Sequence, residues 1–308
     1  MKNIILITGV AGFIGSKIAH RFLEEGYKVI GVDNLSGGNI DNIPDGVDFI
    51  KGDLDTKNTF KYIPSDCNTI LHLAGQSSGE VSFDDPVLDL QKNTISTLNL
   101  IEYGIENSID CLLYASSMSV YGSVKDQPVK EKDVNQPLSC YGVGKLASEG
   151  YLKVYQKQLP SISLRMFNVY GPGQDMNNLR QGMVSIYLAQ ALKNKKIEVK
   201  GSLDRFRDFI FIDDVVETWF RLSNDPKALG KTLNLATGTR TKVYDLLEKI
   251  CDAVPGCQYF VNGITSGDQD GIYADILELK RNINTDLFTP LDVGLEKFIK
   301  WAKKTRIN

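Results

Sequence analysis

Tyr141 and Lys145 stand four residues apart in Tyr141-Gly142-Val143-Gly144-Lys145, a spacing that puts both on one face of a helix. A tyrosine hydroxyl, with a pKa of about 10, is a poor base at neutral pH. A neighbouring ammonium, joined by a second positive charge, would stabilise the phenolate and make the residue a usable acid and base. Upstream, residues 112–115 read as a strand running into Ser116-Ser117-Met118-Ser119, and a serine hydroxyl there can hydrogen-bond a reacting oxygen. Tyr and Lys are common on helix surfaces, so the pair gains meaning only from its company.

That company begins at the N-terminus. Thr8-Gly9-Val10-Ala11-Gly12-Phe13-Ile14-Gly15 follows an apolar run and opens a helical pattern. Glycines in a strand-to-helix turn let backbone N–H groups approach a pyrophosphate at the helix N-terminus. The spacing is GxxGxxG rather than GxGxxG. About 20 residues on, Asp33 ends the next apolar run in Val29-Ile30-Gly31-Val32-Asp33-Asn34. A carboxylate there accepts hydrogen bonds from adenosine ribose hydroxyls and repels a 2′-phosphate, which favours NAD over NADP. Asp53, in Lys51-Gly52-Asp53-Leu54, could reach the adenine amino group or could be an ordinary loop Asp.

Taken together these stretches resemble the extended short-chain dehydrogenase/reductase superfamily, in its NAD-dependent nucleotide-sugar epimerase and dehydratase branch, and are UDP-glucose 4-epimerase-like. The resemblance runs through Leu71-His72-Leu73-Ala74-Gly75, Asn93 with Leu98-Asn99-Leu100, Ser116 to Gly122, the run from Leu164 to Pro172, and Arg207-Asp208-Phe209 followed by Asp213-Asp214-Val215. It implies a hydride-transfer enzyme that keeps NAD bound, with Tyr141 as acid/base, Lys145 on the nicotinamide ribose and Ser117 on the sugar oxygen. It further implies that Gly9, Gly12, Phe13, Ile14, Gly15, Asp33, Asn34, Asp53, Leu54, Leu73, Ala74, Gly75 and Asn93 contact the cofactor. Asn168, Asn178, Arg207 and Asp268 would hold the nucleotide diphosphate, Arg207 being suited to phosphate by its planar fork. An ion pair of Arg207 with Asp208 or Asp213 is the plainer alternative.

Departures from the family pattern narrow the reaction. Relatives that dehydrate across C5–C6 carry Asp-Glu after the serine position, and decarboxylases a Glu; here Met118-Ser119 supplies no acid. A 4-epimerase needs none, because a 4-keto sugar can turn over and take hydride on its other face. A C4 dehydrogenase or 4-ketoreductase would use the same three residues. A non-catalytic NAD-sensing or RNA-binding module is the reading from another class, opposed by the intact trio and the lack of a basic stripe. Thr265 stands where epimerases carry an Arg before the Gly267-Asp268 pair, Gly144 stands where a Ser is usual, and Ile272 falls at a position that gates bulk at the sugar C2.

The elements that must position these residues follow a βαβ rhythm, which predicts a parallel sheet. Apolar runs at 4–8, 28–32, 47–51, 69–73, 111–116 and 161–167 read as strands, with helical patterns at 13–25, 56–63, 86–107 and 139–158. Beyond about 170 the pattern predicts a helix at 180–194 and a strand pair of 197–199 with 208–212. Helices at 214–223, 243–253 and 292–303 follow, with a strand at 232–236. The expected architecture is α/β: a Rossmann-type doubly wound sheet over 1–170, rejoined by about 205–235, with a smaller α/β substrate lobe over 171–308 interleaved. The stretch 209–216 looks sheet-like enough to make that return.

The 308 residues carry a net charge of −3, 42% apolar and 24% charged residues, a soluble composition with no signature for nucleic acid. No run of about 18 apolar residues suggests a membrane span, and the apolar start 4–7 breaks at Thr8-Gly9 before it could act as a secretion signal. Five cysteines without a CxxC pair and two histidines argue against zinc and for reduced thiols in a cytoplasmic protein. Leu88, Ile95, Leu98 and Ile101 give the 86–107 helix an apolar stripe. By resemblance, that helix and 139–158 would form a homodimer interface.

Overall fold

The computed structural model describes residues 4–263 and 270–305. Side chains alternate across a strand, and β1 (Ile4–Thr8) uses both faces: Ile5 and Ile7 enter one apolar core, Leu6 another. β2 (Lys28–Asp33), β3 (Val47–Lys51), β4 (Thr69–His72), β5 (Cys111–Ser117) and β6 (Ser161–Met166) follow. β7 (Asn168–Tyr170), β8 (Lys196–Val199), β9 (Phe206–Arg207) and β10 (Phe209–Phe211) lie in separate two-stranded pairs, and β11 (Thr232–Leu235) completes a seven-stranded sheet in the order β11-β6-β5-β4-β1-β2-β3. Every pairing in it is parallel. β12 (Thr241–Lys242) and β13 (Gln258–Val261) are the remaining strands among the described residues.

Helices cover both faces, as a parallel sheet requires. α1 (Phe13–Glu24) crosses from β1 to β2. α2 (Pro86–Leu90) leads through one π turn, Gln91–Ile95, into α3 (Ser96–Glu106), and α4 (Cys140–Val154) carries the Tyr–Lys pair. α5 (Met183–Asn194), α6 (Ile212–Ser223), α7 (Val243–Ala253), α8 (Leu277–Lys280) and α9 (Leu291–Ala302) complete the chain. Phe22 of α1 and Trp219 of α6 share the core on one face; Leu100 of α3 and Leu152 of α4 share the core on the other. β1 lies between β2 and β4, so the strand order reverses there and a crevice opens at the C-terminal ends.

Four readings of the pattern are corrected. The expected helix at 56–63 is a single 3-10 turn, Thr59–Tyr62. The expected helix at 86–107 is interrupted by the π turn. β8 pairs with β13, and β10 pairs with β7, so 197–199 and 208–212 are not partners. The stretch 209–216 does not enter the central sheet; β10 ends at Phe211, α6 begins at Ile212, and β11 is the later strand that lies beside β6.

Candidate active site

Gly9 sits at φ +73°, and a Cβ on it would lie 2.8 Å from the Ala74 nitrogen. A Cβ on Gly15 would strike the Gly9 carbonyl oxygen. Only glycine fits this cradle, which folds β1 into α1 with the Gly12 N–H donating to that same carbonyl at 3.1 Å. Gly12 caps α1 without a side chain, leaving the first helical N–H groups facing the crevice, where an anion satisfies them. Asp33 is buried at the end of β2; its Oδ2 accepts from the Ala11 N–H at 3.0 Å and its Oδ1 from the Leu35 N–H at 2.8 Å. These bonds fix the carboxylate at the rim of the glycine cradle.

The crevice encloses about 1070 Å³, at the upper limit of ordinary small-ligand sites, roughly 300–1,000 Å³. Gly9, Gly12, Phe13, Ile14, Gly15, Asp33, Asn34, Asp53, Leu54, Leu73, Ala74, Gly75, Tyr141 and Lys145 all line it. Asn93 does not; it is 1% exposed behind Gly75, its Oδ1 buried without a hydrogen bond. Asp53 is engaged by the Asn34 amide at 3.0 Å and by Lys92, whose ammonium also reaches Asp55 at 2.9 Å. Lys92 went unread in the sequence, although it directly precedes Asn93 in the quoted motif.

The catalytic helix is capped by Ser139, whose hydroxyl accepts from the Gly142 N–H at 3.1 Å. Tyr141 is 9% and Lys145 4% exposed, with the ammonium 5.6 Å from the Tyr141 ring centroid and 5.0 Å from that of Tyr114. Burial pushes the Tyr141 hydroxyl up to about 12, although its hydrogen bond with Ser117 pulls the other way. Burial lowers the Lys145 ammonium to about 8, opposed by Asp89 and Glu149. The chain's own groups therefore raise Tyr141, where the sequence argument expected a lowering. Ser117, 8% exposed at the end of β5, also accepts from the Ser119 N–H at 3.2 Å.

Behind the trio runs a chain of neutral hydrogen bonds. Thr97 donates to the Asn93 carbonyl at 2.7 Å, so the 3.0 Å contact between His72 Nε2 and Thr97 Oγ1 has the imidazole as donor. His72 Nδ1 then accepts from Thr8 at 2.8 Å, and Thr8 in turn accepts from the Ala74 N–H at 3.2 Å. Ser148 donates to the Asn93 carbonyl as well, at 3.0 Å. Two hydroxyls thus meet one carbonyl within the π turn, a feature frequent at functional sites.

A second cavity of about 300 Å³ adjoins the crevice and shares Ser77, Ser78, Arg180 and Gln181 with it. Met118, Ser119, Asn168 and Arg207 line this smaller cavity. Asn168 donates to the Asp208 carbonyl at 3.0 Å. Arg207, 2% exposed, donates to the Phe206 carbonyl at 2.8 Å. Asp208 accepts from Thr237, at both its N–H and hydroxyl, and from the Gly238 N–H at 2.8 Å, which ties the β9–β10 junction to the loop after β11. Asn178 lines the larger crevice, its Oδ1 accepting from the Arg180 N–H at 3.0 Å. Asp268 and Thr265 lie outside the described residues. Ile272, expected at the cavity as a gate, is instead fully buried against Val120, Tyr121 and Phe167.

Comparison with known proteins bears on the whole arrangement. The model of the NAD dependent epimerase/dehydratase family matches residues 5–236. UDP-glucose 4-epimerase of Mycolicibacterium smegmatis is 34% identical over 258 residues, covering 81% of this chain and 82% of that protein. A solved UDP-glucose 4-epimerase from Thermotoga maritima, with UDP-glucose, superposes with a TM-score of 0.91 at 29% identity, covering 98% and 99% of the two chains. Another from Thermus thermophilus, in complex with NAD, gives 0.88 at 29% identity, covering 98% and 100%.

Proposed function

We propose, for a chain that belongs to the NAD dependent epimerase/dehydratase family, a nucleotide-sugar 4-epimerase that works on Tyr141 with Ser117 and Lys145 beside it. NAD is its cofactor, and the glycine cradle and Asp33 fit it: the close backbone contacts at Gly9 and Gly15 exclude side chains from the turn, the α1 N-terminus has no side-chain cap and is open to a diphosphate, and the fixed carboxylate suits two ribose hydroxyls. The sheet over 1–170, with 205–235, would hold the cofactor, and 171–308 the sugar nucleotide.

In this reading Tyr141 removes the proton of the sugar 4-hydroxyl and later returns it, while Ser117 hydrogen-bonds the same oxygen. Lys145 holds the cofactor ribose and opposes the negative charge that develops on Tyr141. When bound, NAD supplies hydride uptake and return at C4, and its cationic ring supplies the positive charge that Tyr141 lacks in the chain alone. Asn168, Asn178, Arg207 and Asp268 are proposed for the nucleotide diphosphate, which the UDP-glucose bound to the Thermotoga protein suggests is a uridine diphosphate.

The observation that carries the assignment is the pair Met118-Ser119 on the wall of the smaller cavity. Elimination of water or loss of carbon dioxide asks for a further acid or base, and this wall offers a thioether and a hydroxyl. Incubation with UDP-, GDP-, CDP- and dTDP-sugars, with products read by NMR, is expected to yield a C4 epimer from one of them. A 4-keto product, or consumption of added NADH, would overturn the epimerase reading in favour of a net oxidoreductase. Tyr141→Phe is expected to lower kcat by about 10²-fold or more with NAD retained in the purified protein, and unimpaired turnover would remove Tyr141 from the mechanism.

A homodimer across α3 and α4 is also proposed. α4 presents Val143, Tyr151 and Val154 to solvent, and Leu88 of α2 and Ile95 of the π turn, on the segment packed against α4, are exposed as well. Leu98 is half-buried and Ile101 belongs to the core, so the stripe expected on that segment is divided between two environments.

A further inference from the structure

Asp89, near the end of α2, is a carboxylate with 1% exposure that the trio does not include. Its Oδ1 accepts from the Gln76 amide at 2.8 Å and from the Asn93 amide at 3.1 Å. Its Oδ2 is buried and without a hydrogen-bond partner. That oxygen faces the catalytic helix: a Cβ built on Gly144 would stand 3.5 Å from it, one residue before Lys145. On the other side of the same spot, a Cβ on Gly75 would stand 3.5 Å from the Lys145 ammonium and would overlap the Asn93 amide oxygen. Gly144 and Gly75 thus let α2 and the loop after β4 close around Lys145.

Burying an ammonium and a carboxylate separately is costly, and each is tolerable only with compensation nearby. The charged and titratable groups around Lys145 come from four elements besides the cofactor crevice. Its own helix offers Tyr141 and Glu149, β5 offers Tyr114, β4 offers His72, and α2 offers Asp89. Glu149 is already neutralised by a bidentate pair with Arg165 of β6, at 2.9 and 2.7 Å. His72 is held neutral in its hydroxyl chain.

We propose that Asp89 is a positioning residue for the reaction, the balancing charge that keeps Lys145 an ammonium while the two hydrogen bonds it accepts hold Gln76 on the crevice wall and Asn93 behind it. The proposal rests on the reading of Lys145 as the charged partner of Tyr141. Gln76 extends its reach, donating to the Ser78 carbonyl at 2.7 Å, and Ser78 lines both cavities. Asp89 therefore touches neither substrate nor cofactor and acts through groups that line their cavities.

A nearby anion raises the pKa of a cation, so removing it lowers that pKa. Lys145, near 8 with Asp89 present, would lose its proton at lower pH in Asp89→Asn, and the alkaline fall of kcat would move down with it. The expected result is a displacement of that limb by about one pH unit and a kcat lower by about fivefold at pH 8, with KM little changed and NAD retained. A kcat that falls while the limb stays at the parent's pH gives Asp89 a structural part only and overturns the proposal, as does a variant with the parent's kcat and limb. If Asp89→Asn does not fold, Gly144→Ser carries the same measurement, since a hydroxyl placed against Oδ2 draws off part of its charge. A lowered limb supports the proposal there and an unmoved limb overturns it. Lys145→Met serves as the separate control: unimpaired turnover in it sinks the reading of Lys145 itself, whatever Asp89 does.

Discussion

His72 shows how a single residue can couple a core to an active site without entering the chemistry. It is fully buried between Thr8 and Thr97, and burial holds its imidazole down to about 3. In the unfolded chain the same group titrates at about 6.5. Between these values the unfolded chain binds a proton that the native protein does not, so stability rises with pH across that window and falls as the solution is acidified. The slope from this residue is about 1.4 kcal/mol per pH unit. His72→Gln is expected to be less stable at pH 7 yet to lose less between pH 6 and 4, read as urea midpoints across that range. Parallel curves for the two proteins would assign the acid sensitivity to the carboxylates instead. The residue itself was legible in the sequence as part of a motif, but its role was not. The two threonine hydroxyls that choose its tautomer lie in β1 and α3, and no local pattern joins them.

Among the elements, α4 is held from behind by a buried polar network rather than by apolar packing alone. Arg165 and Glu149 have side chains 4% and 8% exposed. Ser116 donates to Glu149, and the Arg165 guanidinium lies 4.7 Å from the Tyr121 ring centroid. Tyr121 passes the network on to Asn234 of β11 at 2.6 Å. Removing one partner leaves the other charge buried and alone, which costs about 3–5 kcal/mol. Glu149→Gln and Arg165→Met are each expected to lose that much in denaturant unfolding, and the double variant less than the sum. Additive losses would show that the two groups are stabilised independently.

Element types were well marked in the sequence where apolar runs were bounded by Gly, Asp or Asn, as at β1, β2, β5 and β6. Partnership was less so. β8 and β13 are four residues each, and their pairing is set by tertiary contacts across a long intervening stretch. The π turn was equally hidden, and the two hydroxyls that meet its Asn93 carbonyl, Thr97 and Ser148, belong to different helices. At the site, the glycine cradle, Asp33 and the trio were legible because backbone geometry or chemistry dictates those residue types. Asp89 and Lys92 were not, since an acid or a lysine in a helical stretch reads as solvated until its burial is known.

For the whole molecule, the exposed apolar face of α4 has the larger consequence. Val143 is 54%, Tyr151 40% and Val154 73% exposed, and their spacing in steps of eight and three puts them on one side of the helix. Exposed apolar side chains gathered on one side of a helix are candidates for an association surface. Val143→Glu combined with Val154→Arg is expected to halve the mass measured by light scattering while leaving NAD bound. A parent protein that already runs as a monomer would dismiss the dimer outright. Among the described residues no helix is long and apolar enough to cross a membrane, which leaves such a face without a lipid role as a spanning segment.

The two cavities meet along a common wall of Ser77, Ser78, Arg180 and Gln181, with Arg180 pairing Asp84 at 2.8 Å and Glu80 at 3.5 Å. A wall with two sides cannot be ordered from one side only. Whatever factor a dinucleotide in the first cavity adds to the affinity of a ligand in the second, that ligand must return to the dinucleotide, because linkage between binding equilibria is reciprocal. The retention of one molecule and the recognition of the other are then a single free-energy term, written twice.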